Sequence, residues 1–123
     1  AIAESLSKPE SFVAVCVLDN QSLIWGGEET NCALANVASL GSINKANNTA
    51  LSGALAALLS DFDVPSDRVY VNFWDIGARE NCGYNGVTFA EGPAKPKPPN
   101  PSPAVASVRT SQRTTLLRLF LPR

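Results

Sequence analysis

A segment near the start of the chain returns in its second half, and this repetition restricts the available folds more than any other feature. Placing Lys8-Pro9-Glu10-Ser11-Phe12-Val13-Ala14-Val15-Cys16-Val17-Leu18-Asp19 over Val64-Pro65-Ser66-Asp67-Arg68-Val69-Tyr70-Val71-Asn72-Phe73-Trp74-Asp75 matches Pro9 with Pro65, Val13 with Val69, Val15 with Val71 and Asp19 with Asp75 at one constant offset. Ahead of the second copy, Leu51, Ala54, Leu55, Leu58, Leu59 and Phe62 recur at steps of three and four. That period predicts an amphipathic helix over 44–62, capped by one of Asn44, Asn47 or Asn48. Residues 32–40 before the helix and 69–75 after it read as strands, and parallel neighbours in a sheet need such a crossover. The same offset lays Ile2 and Leu6 over Leu58 and Phe62, so residues 1–6 read as the last turns of an equivalent helix. By the repeat, an opening strand and most of that helix are expected ahead of Ala1, with the strand in the sheet interior beside 32–40.

The remaining elements fit an α/β (α+β) chain of tandem βαβ units, with a four-stranded mixed sheet backed by helices. Residues 12–18 read as a buried strand, 23–25 as a short one closed by Gly26-Gly27, and Asn85-Gly86 as a tight turn between short extended pieces. On the strand from Val69, alternation places Tyr70, Asn72 and Trp74 on one face and Val69, Val71 and Phe73 on the other. Residues 1–90 make the expected domain. Residues 91–123 differ in kind: 91–103 is a proline-rich, extended spacer, and 104–123 ends in Leu116-Leu117-Arg118-Leu119-Phe120-Leu121. This tail is expected to be a disordered appendage, with a weak membrane or partner contact as the sharper alternative.

Composition removes several function classes. Residues 1–90 hold four basic residues against ten acidic ones, whereas residues 91–123 hold six basic and one acidic, so the domain has no net attraction for nucleic acid. There is no histidine, which excludes Ser-His-Asp and Cys-His nucleophile arrangements. Cys16, Cys32 and Cys82 are too scattered for a zinc set or a disulfide framework and are expected to be free thiols. The start lacks a signal peptide pattern, no run reaches transmembrane length, and the sequons at Asn20 and Asn47 read as chance matches. No cofactor is implied.

Ser7-Lys8-Pro9 before a strand, Trp25-Gly26-Gly27, Ser39-Leu40-Gly41, the run from Ser66 to Asn72, and Tyr84-Asn85-Gly86-Val87-Thr88-Phe89-Ala90 occur in that order. Together they resemble the macrophage migration inhibitory factor and D-dopachrome tautomerase family of the tautomerase superfamily, almost without gaps over residues 1–90. The resemblance implies a βαβ-βαβ subunit, a ring-shaped homotrimer with active sites at subunit boundaries, and keto-enol tautomerase activity on phenylpyruvate-like or dopachrome-like acids. It implies an N-terminal proline as the base, which this chain, beginning at Ala1, does not carry. An α-amine titrates near about 8 and is lowered by an apolar site and a nearby cation, so it can be free base at neutral pH. By resemblance, Lys8 pairs with the substrate carboxylate, Tyr70 and Asn72 reach the neighbouring subunit's pocket, and Leu40, Tyr84 and Phe89 line it. The vertebrate cytokine's Cys-x-x-Cys pair is here Cys32-Ala33-Leu34-Ala35, which leaves a dithiol oxidoreductase role without a basis. The implied partners are a small aromatic keto acid and, for a non-catalytic cytokine-like alternative, a receptor. A cytoplasmic protein with leaderless export is the implied location.

Overall fold

The computed structural model describes residues 1–91 and 115–121. The predicted helix is present as α2 (Lys45–Ser60), and its cap is Asn44, whose side-chain oxygen accepts from the Asn47 backbone N–H at 2.9 Å. Leu51, Leu55 and Leu59 form its buried stripe, as the period requires. Preceding it are α1 (Ile2–Ser5), β1 (Ala14–Leu18) and β2 (Ala33–Ser39). Following it are β3 (Val69–Asp75), the short strands β4 (Gly83–Tyr84) and β5 (Val87–Thr88), and β6 (Thr115–Leu121). No described helix is long and apolar enough to cross a membrane.

The main sheet is mixed and four-stranded, in the order β1-β6-β2-β3, with β2 parallel to both β3 and β6 and β1 antiparallel to β6. Its two faces differ. Ala33, Ala35, Val37 and Ser39 of β2 are buried on the helix side, while Leu34, Asn36 and Ala38 on the other face are half-buried. Along β3, Val69, Val71 and Phe73 are half-buried and Tyr70, Asn72 and Trp74 exposed, the alternation expected of a pleated strand with one covered face. Leu6, Ala35, Val37, Leu51 and Leu55 make the main core, with Ile2, Val13, Val71 and Phe73 against it. Each fully buried leucine of α2 contributes about 1.5–3 kcal/mol of transfer free energy.

The sequence repeat recurs in the backbone at the same offset. After α1, Ser7 is left-handed (φ 51°), its N–H donates to Glu4 O, and the Lys8 N–H donates to Ala3 O. After α2, Asp63 is left-handed (φ 59°), its N–H donates to Ser60 O, and the Val64 N–H donates to Leu59 O. This pair of bonds is the Schellman helix stop. Proline follows in both copies, then a single 3₁₀ turn (Glu10–Phe12 and Ser66–Arg68) that feeds β1 or β3. Proline fits there because its φ suits extended entry and it cannot continue the helix.

Three expectations need correction. The strand over 12–18 was expected to be buried, but β1 is exposed along its whole length, with Val15 and Val17 half-exposed. These valines lie in register rows with Val37 and Ala35 on the helix side, and four-residue α1 is too short to cover them. The short strand at 23–25 is reduced to one antiparallel bridge between Trp25 and Glu28 around Gly26-Gly27. Finally, the tail was expected to be a disordered appendage, yet Thr115–Leu121 is a strand inside the sheet, between β1 and β2. The proline-rich spacer over 92–103 lies outside the described residues.

Candidate functional site

The Schellman stop fixes where Lys8 emerges, and its Nζ donates to the Leu40 carbonyl at 3.0 Å. That carbonyl is held by a rigid turn at the end of β2. The Ser39 hydroxyl donates to Gly41 O at 2.7 Å, the Gly41 N–H to Asp75 Oδ1 at 3.0 Å, and the Ile76 N–H to Ser39 O at 2.9 Å. Gly41 has φ 76°, a region glycine enters without steric cost, so Leu40 can turn inward directly after the strand. The Leu40 side chain is fully buried with Cys82 and Phe89, and Phe12, Ile76 and Tyr84 pack on the cluster.

Three of these residues form an aromatic wall. Tyr84 stacks on Phe89 at 5.6 Å and 21°, and Phe12 meets Tyr84 and Phe89 edge-on at 5.5 and 6.0 Å, both within the favourable range of ring contacts. Tyr84 is positioned by the hairpin of β4 and β5, whose two-residue turn, Asn85 (φ 54°) and Gly86 (φ 83°), has the left-handed pair that a tight hairpin needs. Phe89 is fixed by its backbone: its N–H donates to Cys82 O at 3.0 Å and its carbonyl accepts from Arg79 Nε at 2.8 Å. Burial pushes the Cys82 thiol above its ordinary pKa, so it stays a neutral packing group.

Tyr70 and Asn72 stand apart from this cluster, on the exposed face of edge strand β3. Tyr70 stacks on Trp25 at 4.2 Å and 23°, with the Arg68 guanidinium 5.9 Å from the Trp25 ring centre on the way into β3. Asn72 Nδ2 donates to Asn36 Oδ1 on β2 at 3.2 Å. Of the sequence-derived site residues, then, Lys8, Leu40, Tyr84 and Phe89 come together through Leu40, whereas Tyr70 and Asn72 face outward. A groove of about 680 Å³ runs between α2 and β3, lined by residues such as Lys45, Ser52 and Val71, and another of about 540 Å³ runs beside the Tyr84 hairpin. Lys8 lines neither groove. Among the described residues no cluster of His, Cys, Asp or Glu could hold a metal ion. Leu40 thus joins the two groups, its carbonyl accepting from the Lys8 ammonium and its side chain packing in the aromatic cluster.

Sequence reasoning missed Phe12, Ile76 and Cys82. For Phe12 the repeat did contain a signal, because at the constant offset it falls on Arg68, an apolar residue opposite a charged one.

Residues 1–90 match the profile of the macrophage migration inhibitory factor (MIF) family. The chain belongs to that family. The macrophage migration inhibitory factor of Rattus norvegicus is 40% identical over 90 residues, covering 72% of this chain and 77% of the rat protein. A macrophage migration inhibitory factor homolog of Brugia malayi is 35% identical over 89 residues, covering 72% of this chain and 76% of that protein. The solved structure of Toxoplasma gondii macrophage migration inhibitory factor superposes with a TM-score of 0.57 at 23% identity, over 72% of this chain and 78% of that one, a likeness of fold. Lys8 and every member of the aromatic cluster lie inside the matched stretch of this MIF family member, and β6 lies outside it.

Proposed function

We propose that this MIF family member binds aromatic keto acids of the phenylpyruvate or dopachrome kind and serves keto-enol tautomerisation within a homotrimer. The observation that carries the reading is the Lys8 ammonium, held 3.0 Å from the carbonyl of Leu40, a residue whose side chain packs with Phe12, Tyr84 and Phe89. A substrate carboxylate would take the cation as its partner while the substrate ring lies against the aromatic side chains. Tyr70 and Asn72, turned outward on an edge strand, would complete the pocket of a neighbouring subunit. We place the protein in the cytoplasm, with leaderless export as for a cytokine.

Tautomerisation moves one proton between the carbon beside the carbonyl and the carbonyl oxygen, with no electron transfer. It needs a base that is neutral at working pH. Residues 1–123 contain no histidine, and lysine side chains are protonated at neutral pH. Turnover is therefore expected only when a family-like N-terminal segment beginning with proline precedes this chain. The exposed Tyr70 and Asn72 also suit a second reading, a non-catalytic cytokine-like protein that meets a receptor through the same surface. Phenylpyruvate ketonisation, measured for residues 1–123 and for the extended form, separates the two. Equal turnover by both forms would remove the proline from the mechanism, and no turnover by either would favour the binding protein.

A further inference from the structure

Asn85 is the one asparagine of the chain that precedes a glycine. Most other described asparagines are committed through their side chains: Asn31 donates to Asp63 O, Asn47 to Ser42 O, Asn72 to Asn36 and Asn81 to Ile76 O, and Asn44 caps α2. Among the described residues no hydrogen bond holds the Asn85 amide group or the Gly86 N–H. Both residues are exposed, and a Cβ at Gly86 would meet nothing within 4 Å, so the space around this peptide bond is open. The hairpin that carries them has two residue pairs, Gly83 with Thr88 and Tyr84 with Val87, and so short a ladder opens at low cost. Opening lets Asn85 leave its left-handed conformation (φ 54°) and bring its side-chain carbonyl carbon to the Gly86 nitrogen.

We propose that Asn85 is a site of spontaneous deamidation and backbone isomerisation, and that its conversion releases Tyr84 from the aromatic cluster around Leu40. Asparagine is among the thermolabile residues. In the first step the Gly86 nitrogen attacks Cγ of Asn85: the N–Cγ bond forms, the Cγ–Nδ2 bond breaks, and the Gly86 proton leaves with the amide group as ammonia. The product is a cyclic succinimide, which water then opens. Addition at Cγ gives aspartate, and addition at the former backbone carbonyl carbon gives isoaspartate, in which the chain runs through the side-chain methylene. Either product has gained a water and lost an ammonia, with no change of oxidation state. Isoaspartate lengthens the backbone between Tyr84 and Gly86 by a carbon atom, which a two-residue turn with both positions left-handed cannot absorb. Tyr84 then loses its pairing with Val87, and with it the support that stacks its ring 5.6 Å from Phe89 and sets it edge-on to Phe12 at 5.5 Å. Cys82, buried in the same cluster and joined through its carbonyl to the Phe89 N–H, becomes accessible.

The test ages the full chain in mildly alkaline buffer at physiological temperature. Peptide mapping with isoaspartyl methyltransferase labelling is expected to find isoaspartate at residue 85 ahead of every other asparagine, and more slowly in mildly acidic buffer, because the attack needs the Gly86 nitrogen deprotonated. Asn85→Gly, which keeps a turn suited to two left-handed residues, should stay unlabelled at this position. The isoaspartate form, separated by its added negative charge on ion exchange, should react at Cys82 with a thiol reagent at least several-fold faster than fresh chain. Freshly prepared Asn85→Asp carries the same charge on an ordinary backbone and should react as slowly as the parent. Isoaspartate appearing at residue 85 no sooner than at Asn20 or Asn48 would overturn the proposal. So would an isoaspartate form whose Cys82 is as slow as in fresh chain, or an Asn85→Asp chain as fast as the isoaspartate form.

Discussion

Replacing Lys8 by methionine keeps a linear side chain that can follow the same path and removes the donor to the Leu40 carbonyl. A charged donor to a carbonyl contributes a net of about 1.5–3 kcal/mol when well shielded. Lys8 is half-buried, and its bond to Leu40 is 3.0 Å long, so solvent competition brings the expected loss to the lower end, about 1–1.5 kcal/mol. For a domain of this size each kcal/mol lowers the thermal midpoint by about 4–8 °C, which predicts a drop of about 4–12 °C for Lys8→Met. Thermal unfolding followed by circular dichroism, with urea titrations to confirm an unchanged slope, measures it. Lys45→Met, at the exposed first position of α2, is the control and should stay near the parent. In the form extended by a proline-led segment, Lys8→Met should lower phenylpyruvate turnover by about tenfold or more, the loss of one charge-assisted contact. A midpoint equal to that of Lys45→Met, with unchanged turnover, would show that Lys8 is a solvated lysine and not part of a site.

Asn44→Ala removes the side chain that caps α2 and should cost about 1 kcal/mol in urea unfolding, while Asn44→Gly should cost only a few tenths. A thiol reagent at pH 8 should modify exposed Cys16 in the native chain and spare buried Cys82, whose thiol burial holds in the neutral form; rapid native-state labelling of Cys82 would contradict the packing around Leu40. In extended trimers, Asn72→Ala and Lys8→Met should each lower activity, and mixed trimers of the two should recover part of it, because one pocket could draw both parental residues. Verified mixed trimers without recovery would argue against a shared pocket.

The helix α2, its cap, strand β3 and the alternation of Tyr70, Asn72 and Trp74 were all legible, because each rests on a local period or a short capping pattern. The repeat was legible for the same reason, and it carried the Schellman stop that sets Lys8. β6 was not. Its run of leucines follows a proline-rich stretch and has neither a helical nor an alternating period, and what makes it a strand is a slot formed by residues about a hundred positions earlier in the chain. The exposure of β1 was misread because a continuous apolar run predicts burial only where another layer exists to cover it. In the site, Leu40, Tyr84 and Phe89 were reached through resemblance. Phe12 was read as the first residue of a strand, whereas it belongs to the 3₁₀ turn before it, which points it at Tyr84 and Phe89.

The two Schellman stops share a backbone but end in different residues. After α2 the residue beyond the left-handed turn is Val64, buried with Leu59 as a hydrophobic latch on the helix end. After α1 the same place is held by Lys8, so the latch is exchanged for a polar tether to a loop on another strand. A duplicated helix stop has thus been converted, in one copy, from an anchor into a reach.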